Sequence, residues 1–326
     1  MRIALLGVPS VLFVLLVLSV AEGTSAAEDG FAWKPVDDKS LGLFDGGKPV
    51  LVYNHGMILK KGVPERYRRA CYLHPVYGLD GEVITDDFPR DHRHHRGIFW
   101  AWPHIKVGDA KEVQTWIPAG IDNKLVKWIR KDADAKQAVL ECENGWFVGD
   151  KKVVAERLKL VVHPADGDTR ALDFEFVWTA ADQPVKLTGA GGKSYGGLTV
   201  RYATRFTEPD GIKQKQVTIT VPSGVSGKDL ANTRLEWADF IAPFPGAKGK
   251  SGAAVFIARD HPDYPPTWLT RHYGCLCVGW PGVKGGTLEP GKPVTCRYRV
   301  LVHRGDLGLE ALRKAYDEYL DRQKTP

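Results

Sequence analysis

Alternating apolar and polar positions run through most of the chain and predict short β-strands. Segment 170–179 is the clearest case, because its apolar and acidic residues fall on opposite faces: Leu172, Phe174, Phe176 and Trp178 against Asp173 and Glu175. Successive residues of a strand point to opposite sides of a sheet. The segment is therefore predicted to be an antiparallel strand with one buried face.

Strand follows strand from Val50 onward. Gly149-Asp150 separates segment 146–148 from segments 153–154 and 158–162, which predicts a hairpin. Further strands are predicted at 197–202, 217–221, 253–257 and 294–302. Many short strands at this spacing favour an all-β protein, a large antiparallel β-sandwich, over alternating βαβ units.

One helix is predicted at the end of the chain. Asp306 can cap it, and apolar residues then recur at helical spacing: Leu309, Leu312, Tyr316 and Leu320. We expect this helix to pack on a sheet edge or on one end of the sandwich.

The first 27 residues read as a secretory signal peptide. Arg2 precedes the apolar run 11–18, and Ser25-Ala26-Ala27 forms a small-x-small cleavage site. Residues 28–326 are then expected to form a single β-sandwich domain that is exported to the periplasm or the extracellular space. No later segment has the ~20 apolar residues of a membrane span, so stable membrane insertion is not expected after cleavage.

The net charge and the cysteines narrow the function classes. The formal charge is +6, and the 45 Lys and Arg residues are spread along the chain. Nucleic-acid binding requires a stripe of positive charge and is therefore disfavoured, whereas an acidic polysaccharide would suit such a surface. The five cysteines form no dense disulfide framework and are expected to be buried, with at most one bridge.

Candidate chemistry is concentrated in segment 91–97, which holds three of the ten histidines directly before the apolar run 98–102. Imidazoles titrate near neutrality, so His92 and His95 could act as general acid and general base. Asp91 could orient an imidazole, and Arg96 could hold a carboxylate or a developing oxyanion. His92 and His95 converge only if the chain turns between them, because residues three apart in a strand face opposite ways.

Two other interpretations of this cluster stay open. His92 and His95 could bind a divalent metal together with a distant His261 or His74, with Asp91 as a ligand or an orienting group. Alternatively, the cluster could be structural, with its arginines paired to nearby acids.

Polar and aromatic residues elsewhere could complete a binding surface for a sugar. Aromatic faces suit the apolar side of a pyranose, and planar polar groups suit its hydroxyls. The candidate substrate-binding residues are Tyr72, His74, His261, Trp268, Arg271 and Tyr273. Trp100, Trp178 and Trp237 are expected to lie in the core instead.

Several sequence blocks resemble an exported bacterial family of uncharacterised proteins that carries the label "methane oxygenase PmoA". The blocks are Tyr72-x-His74-Pro75-Val76-Tyr77, Asp91-His92-x-His94-His95-Arg96-Gly97, Gly196-Gly197-Leu198-x-x-Arg201, Asp260-His261-Pro262 with Trp268 and Arg271-x-Tyr273-Gly274, and Tyr298-Arg299-Val300-x-Val302-His303-x-Gly305. The resemblance runs from about Tyr53 to Tyr319. It implies the galactose-mutarotase-like supersandwich of sugar epimerases and lyases. It also implies a site that contains His74, Asp91, His92, His95, Arg96, His261, Arg271 and Tyr273.

The function expected from the sequence is proton transfer on a sugar or an oxidised sugar, by epimerisation, elimination or hydrolysis. One alternative is a non-catalytic carbohydrate-binding module, which would depend on its aromatic platform more than on His95. Another is a metal-dependent oxidative enzyme, which would contain a stoichiometric transition metal.

Overall fold

A computed structural model describes residues 30–323 of the chain. The predicted signal peptide, 1–27, lies outside these residues. Within the described part, no helix has both the length and the apolar character needed to span a membrane.

The described residues form twenty-one β-strands, two short 3-10 helices and one α-helix. The strands of the first half are β1 Phe31–Asp37, β2 Ser40–Asp45, β3 Lys48–Asn54, β4 Tyr72–Val76, β5 Ile98–Ala101, β6 His104–Val107, β7 Asp122–Ala133, β8 Ala138–Val148, β9 Lys151–Val162 and β10 Thr169–Ala180. Those of the second half are β11 Val185–Thr188, β12 Gly197–Arg201, β13 Thr218–Val221, β14 Gly224–Val225, β15 Ala231–Arg234, β16 Trp237–Ala242, β17 Ser251–Ile257, β18 Thr267–Arg271, β19 Cys275–Gly279, β20 Gly286–Leu288 and β21 Val294–Arg304. The 3-10 helices are Glu65–Tyr67 and Gln214–Gln216, and the α-helix, α1, is Gly308–Gln323.

Two nine-stranded sheets form the two layers of the molecule. The front sheet has the order β1-β2-β3-β4-β5-β12-β19-β18-β15, and the back sheet has the order β14-β13-β16-β17-β21-β10-β9-β8-β7. A third sheet, β20-β11-β6, has three strands. Neighbouring strands are antiparallel, as in the β5–β12 pair of the front sheet and the β10–β21 pair of the back sheet. The predicted fold class, an antiparallel β-sandwich with a C-terminal helix, is confirmed.

Local alternation predicted individual strands well. In β10 the buried positions include Leu172, Phe174, Phe176 and Trp178, which face the core. The predicted hairpin is formed by β8 and β9 around Gly149-Asp150. Trp100, Trp178 and Trp237 are all buried, as expected for packing residues.

A buried carboxylate lies at the centre of the core between the sheets. Oε2 of Glu156 accepts hydrogen bonds from three indole N–H groups, those of Trp100 at 2.8 Å and of Trp146 and Trp178 at 2.9 Å each. Asn144 donates to Oε1 at 2.9 Å. Burial raises the pKa of Glu156, and these four hydrogen bonds oppose that shift. The tryptophans therefore supply polar partners as well as apolar surface.

The helix α1 lies elsewhere than the sequence led us to expect. Asp306 caps it as predicted, because its Oδ1 accepts a hydrogen bond from the Gly308 N–H at 3.0 Å. The expectation of a sheet edge or sandwich end was wrong. Its apolar residues pack on the outer face of the back sheet, in a cluster with Trp237, Phe256 and Leu301.

The outer face of the front sheet carries an unusual set of side chains. Cα register places Arg201 opposite Cys275 and Cys275 opposite Arg271, so these three residues form one row across β12, β19 and β18. Phe99, Thr199 and Cys277 form the next row. The five cysteines are free and buried. Two arginines in one row of a largely buried sheet mark this face as a candidate site.

Candidate functional site

The histidine segment makes a tight turn on the outer face of the front sheet. The His92 N–H donates to the Pro89 carbonyl at 3.2 Å, and the His95 N–H donates to the His92 carbonyl at 2.8 Å. This turn stacks the imidazoles of His92 and His95 with centroids 4.7 Å apart and planes at 13°. The sequence required a turn between His92 and His95 for their side chains to converge, and this turn is present.

Asp91 orients His92 and is itself held by Arg201. Nδ1 of His92 lies 2.6 Å from Oδ2 of Asp91, and Nη2 of Arg201 donates to both carboxylate oxygens at 2.8 and 2.9 Å. Burial alone would raise the pKa of Asp91, but the hydrogen bond from His92 and the charge of Arg201 hold it below its ordinary value. An ionised carboxylate only accepts hydrogen bonds, so Nδ1 of His92 carries a proton, and in the neutral imidazole Nε2 is the acceptor nitrogen.

Both faces of the His92 ring are covered by other rings. Tyr273 stacks on it at 4.9 Å with an interplanar angle of 15°, and His95 stacks at 4.7 Å. Tyr273 also lies under the Arg201 guanidinium, whose Cζ is 4.9 Å from the ring centroid. The His92 side chain keeps 34% of its surface exposed, which leaves it open to a ligand.

His95 and His94 form an uncharged layer behind His92. Burial, with smaller effects from His94 and Arg201, holds the pKa of His95 well below its ordinary value. Burial and the neighbouring His92 lower the pKa of His94 to about 3. Trp116 packs edge-on against His95 at 5.6 Å. Both imidazoles are therefore neutral at physiological pH, and Nδ1 of the buried His95 has no hydrogen-bond partner.

Arg96 has a structural position, which differs from the expected grip on a substrate. Its side chain is fully buried, and Nη1 donates to the carbonyls of Arg93 and His95 at 2.9 and 2.7 Å. Nη2 donates to the Tyr67 carbonyl. Because backbone acceptors use both of its terminal nitrogens, Arg96 holds the histidine turn in place.

Tyr72 and His74 lie next to this turn, on β4. The Tyr72 hydroxyl donates to Oδ2 of Asp87 at 3.0 Å, beneath the loop. Nδ1 of His74 lies 3.1 Å from the Thr85 hydroxyl, and burial lowers the pKa of His74 to about 3. His74 lines a cavity together with Asp86 and Asp87, and Tyr72 reaches its wall through the hydrogen bond to Asp87.

Two predicted site residues lie elsewhere. Trp268 belongs to the core between the sheets, and its indole N–H donates to the Leu235 carbonyl at 2.9 Å. His261 is buried beside Tyr298 of β21, with Nε2 3.2 Å from the tyrosine hydroxyl.

Arg271 does lie on the outer face of the front sheet, in the same row as Arg201. Its Nη1 donates to the carbonyls of Leu230 and Thr270.

A three-histidine metal site is not assembled from the proposed candidates, because His261 lies in the core while His92 and His95 lie on the outer face of the front sheet. Across residues 30–323, no group of three or more His, Cys, Asp or Glu side chains is arranged to hold a metal ion.

Sequence reasoning missed Arg201 as a site residue. It is separated from Asp91 by 110 positions, so no local motif joins them. A signal was nevertheless present, because an arginine occurs within the apolar strand β12 on the face opposite Leu198 and Val200. A buried charge of this kind requires a partner.

The chain belongs to DUF6807, a family of unknown function whose pattern matches residues 41–317. That description agrees with the expectation of an uncharacterised family. The comparison with curated proteins found no match.

Several solved structures resemble the chain weakly. A galactose-mutarotase-related enzyme from Lactobacillus acidophilus has 7% identity and a TM-score of 0.35, with 84% of this chain and 97% of that chain covered. A protein from the human microbiome assigned as a kojibiose phosphorylase has 10% identity and a TM-score of 0.37, covering 91% of this chain and 33% of that one. A polysaccharide lyase has 11% identity and a TM-score of 0.32, covering 87% and 34%. At these values the function must be argued from the chain's own side chains.

Proposed function

We propose that this protein is an exported enzyme that moves a proton to and from a carbon atom of a sugar or an oxidised sugar, as epimerisation or elimination requires. The observation that carries the proposal is the Arg201–Asp91–His92 relay. It fixes one imidazole tautomer, while the His92 side chain keeps 34% of its surface exposed. Unlike the surface pair His104–Glu112, this pair has its carboxylate held by Arg201 and its imidazole stacked on two other rings.

In the proposed step, Nε2 of His92 removes a proton from the carbon beside a carbonyl or carboxylate group. The electron pair of the C–H bond moves toward the adjacent carbonyl or carboxylate group of the substrate, and the imidazole becomes an imidazolium. Asp91 stabilises that cation, because the two groups are hydrogen-bonded and Asp91 is ionised. For epimerisation, the intermediate turns its opposite face to His92 and the same imidazolium returns the proton there. For elimination, the electron pair instead expels the leaving oxygen on the next carbon, whose C–O bond breaks, and the imidazolium protonates that oxygen.

Other residues of the cluster support this step. His95 and His94 stay neutral, so they place no positive charge beside the imidazolium as it forms. Arg96 acts as a positioning residue through the carbonyls of the turn. Tyr273 stacks on the His92 ring and Trp116 packs edge-on against His95, so these two aromatic side chains hold the imidazoles in place.

The experiment is solvent-hydrogen exchange. The purified protein is incubated in D2O with a panel of neutral sugars and sugar acids, and proton NMR follows the loss of carbon-bound hydrogen signals or the appearance of products. We expect exchange with wild type and a loss of roughly 100-fold or more in His92→Asn, as for removal of a general base.

His104→Asn is the matched control, because His104 also pairs with a carboxylate at 2.6 Å but is exposed on β6. It should exchange at the wild-type rate. Saturable sugar binding with no exchange and no product would instead identify a carbohydrate-binding module and overturn the proposal.

A further inference from the structure

Arg271 carries a positive charge on the outer face of the front sheet, which is the face that holds His92. It belongs to the row Arg201–Cys275–Arg271 across β12, β19 and β18, and directly paired residues of neighbouring strands point to the same side of a sheet. With strands ~4.8 Å apart, the Cα atoms of Arg271 and Arg201 are about 10 Å from each other. Arg271 and the relay therefore occupy neighbouring parts of one surface.

Tyr273 connects Arg271 to the relay. The Gly274 N–H donates to the Arg271 carbonyl at 2.9 Å, so Tyr273 lies in the turn that follows Arg271. The Tyr273 ring stacks on His92 at 4.9 Å. Burial raises the pKa of Tyr273, and the charges of Arg201 and Arg271 oppose that shift. Both guanidinium groups therefore act on the same phenol, the one that covers the catalytic imidazole.

The two other arginines of this region are occupied. Arg201 is fully buried, and its Nη2 donates to both carboxylate oxygens of Asp91. Arg96 is also fully buried, and its terminal nitrogens donate to three backbone carbonyls. Neither arginine offers its charge to a ligand on the outer face.

Arg271 is held in place by the backbone, but part of its guanidinium stays open. Nη1 donates to the carbonyls of Leu230 and Thr270 at 2.8 and 2.9 Å. Within residues 30–323, Nε and Nη2 have no hydrogen-bond partner, and neither is closed off from solvent, since the side chain is only partly buried. The Nε–Nη2 edge can therefore donate two parallel hydrogen bonds to a ligand.

The charge of Arg271 is not balanced by the acids around it. No carboxylate of the described residues forms an ion pair with Arg271. Asp229, next to Leu230, instead accepts hydrogen bonds from the backbone N–H and Nδ1 of His272 at 2.9 and 2.8 Å. An anchored, uncompensated guanidinium favours an anionic ligand, and its two parallel N–H groups match the planar geometry of a carboxylate.

We infer that Arg271 binds the carboxylate of a sugar acid whose ring extends past Tyr273 toward His92. The inference rests on the proposed function and narrows its substrate from sugars in general to uronic acids or related acidic sugars. Arg271 is then the residue that selects the substrate, while His92 moves the proton.

The test is isothermal titration of the purified protein with two methyl glycosides, a glucuronide and the neutral glucoside. We expect the glucuronide to bind about tenfold more tightly than the glucoside, since hydrogen bonds to a charged group contribute free energy of that order. Equal affinities, or a preference for the neutral sugar, would overturn the inference.

Two substitutions of Arg271 locate the binding. Arg271→Gln should lower glucuronide affinity by roughly tenfold and leave glucoside affinity unchanged. Arg271→Lys keeps the charge but loses the fork of parallel donors, so it should retain only part of the preference. Wild-type selectivity in Arg271→Gln would overturn the inference. If that variant does not fold, Arg271→Lys decides instead, because lysine can still donate to a backbone carbonyl, and wild-type selectivity there would contradict the role of the fork.

Arg259→Gln is the matched control. Arg259 is an exposed arginine two residues after β17 of the back sheet, and within the described part of the chain it too forms no ion pair with a carboxylate. The substitution removes the same charge from the opposite layer and should change neither affinity. An equal loss of glucuronide affinity in Arg259→Gln and Arg271→Gln would mean that overall charge attracts the acid, and would overturn the inference.

The His92→Asn variant separates this inference from the proposed function. If it loses solvent exchange but keeps the glucuronide preference, both hold. If wild type exchanges protons of neutral sugars without a preference for acids, the proposed function stands and the inference fails. A glucuronide preference that depends on Arg271, without any exchange in wild type, would leave the sugar-acid site in place and remove the catalytic role.

Discussion

His92 and Asp91 are adjacent in sequence, yet their side chains form a 2.6 Å hydrogen bond that fixes which imidazole nitrogen carries the proton. Adjacent residues seldom pair in this way within a strand, since their side chains point to opposite faces. Here the turn that begins at Pro89 allows it. The pair therefore depends on the loop conformation as much as on the two side chains.

Replacing Asp91 with Asn tests this pair. The Asn amide presents a donor where the carboxylate accepts, which favours the wrong imidazole tautomer and removes the charge that stabilises the imidazolium. We expect the exchange rate to fall by roughly 10²–10⁴-fold. Nitrogen NMR of the imidazole should show the proton of His92 moving from Nδ1 to Nε2.

Glu112→Gln provides the control for Asp91→Asn, because Glu112 makes the corresponding pair with His104 on the surface. That variant should keep the wild-type rate. A wild-type rate in Asp91→Asn would contradict the relay.

The hydrogen bonds of the buried Glu156 carboxylate predict that an amide of the same shape at this position lowers the stability of the fold. In Glu156→Gln, an amide N–H must face either the indole donors or the Asn144 amide. Rotating Asn144 to accept from that amide would break the hydrogen bond that its Oδ1 accepts from the Tyr53 hydroxyl at 3.1 Å. We expect a loss of roughly 2–5 kcal/mol in the free energy of unfolding, measured by urea denaturation.

Glu143→Gln is the comparison for that experiment. Glu143 lies on β8, is partly exposed and pairs with Lys127 and Lys152. Glu143→Gln should lower the free energy of unfolding by about 1 kcal/mol or less. Equal effects of the two substitutions would show that the indole donors do not require a full carboxylate.

The burial of Asp87 predicts that replacing it with Asn stabilises the protein, and that this gain depends on pH. Burial raises its pKa to about 6, against the opposing effects of Arg96 and Tyr72. Between the ordinary Asp value near 4 and this value, the folded protein binds more protons than the unfolded chain, so the contribution of Asp87 to stability falls as the pH rises. Asp87→Asn should therefore be more stable than wild type at pH 7.5, by roughly 1–3 kcal/mol, and nearly equal to it at pH 4.

Urea denaturation at the two pH values measures this difference. Asp182→Asn is the control, because Asp182 is exposed and pairs with Lys151; it should show no such difference. If Asp87→Asn is destabilised equally at both pH values, the pKa of Asp87 does not differ between the folded and unfolded states and the argument from burial fails.

The packing of α1 on the back sheet predicts which residues of the helix contribute to the free energy of unfolding. Leu312 is fully buried in the cluster that joins the helix to Trp237 and Phe256. Leu312→Ala should lower the free energy of unfolding by roughly 2–5 kcal/mol. Lys314→Ala, on the exposed side of the same helix, should stay within about 0.5 kcal/mol of wild type. Similar values for both would mean that the helix does not pack as described.

Most of the strands could be predicted from the sequence because alternation is a local property. β10 and the β8–β9 hairpin follow directly from it. The position of α1 could not be predicted, since an apolar helix face fits a sheet edge or a sheet face equally well, and only the apolar outer residues of β16, β17 and β21 decide between them.

Contacts within the candidate site were predictable only between residues that are neighbours in sequence, although Tyr273 was named as a site residue. Asp91, His92 and His95 come together through one turn. Arg201 and Tyr273 join them through pairings of the front sheet, which no local pattern specifies. Trp268 illustrates the converse error: it is three residues from Arg271, and that odd separation within one strand sends the two side chains to opposite faces.

The stacking of His92 between Tyr273 and His95 restricts the direction of the reaction. With both ring faces occupied, a reactant can approach only along the plane of the imidazole, toward the edge that bears Nε2. The trajectory of the proton is thereby set before any ligand arrives. In the proposed reaction, a sugar presents its C–H bond to that edge, so the stereochemical course would be determined by how the sugar ring is held and not by movement of the histidine.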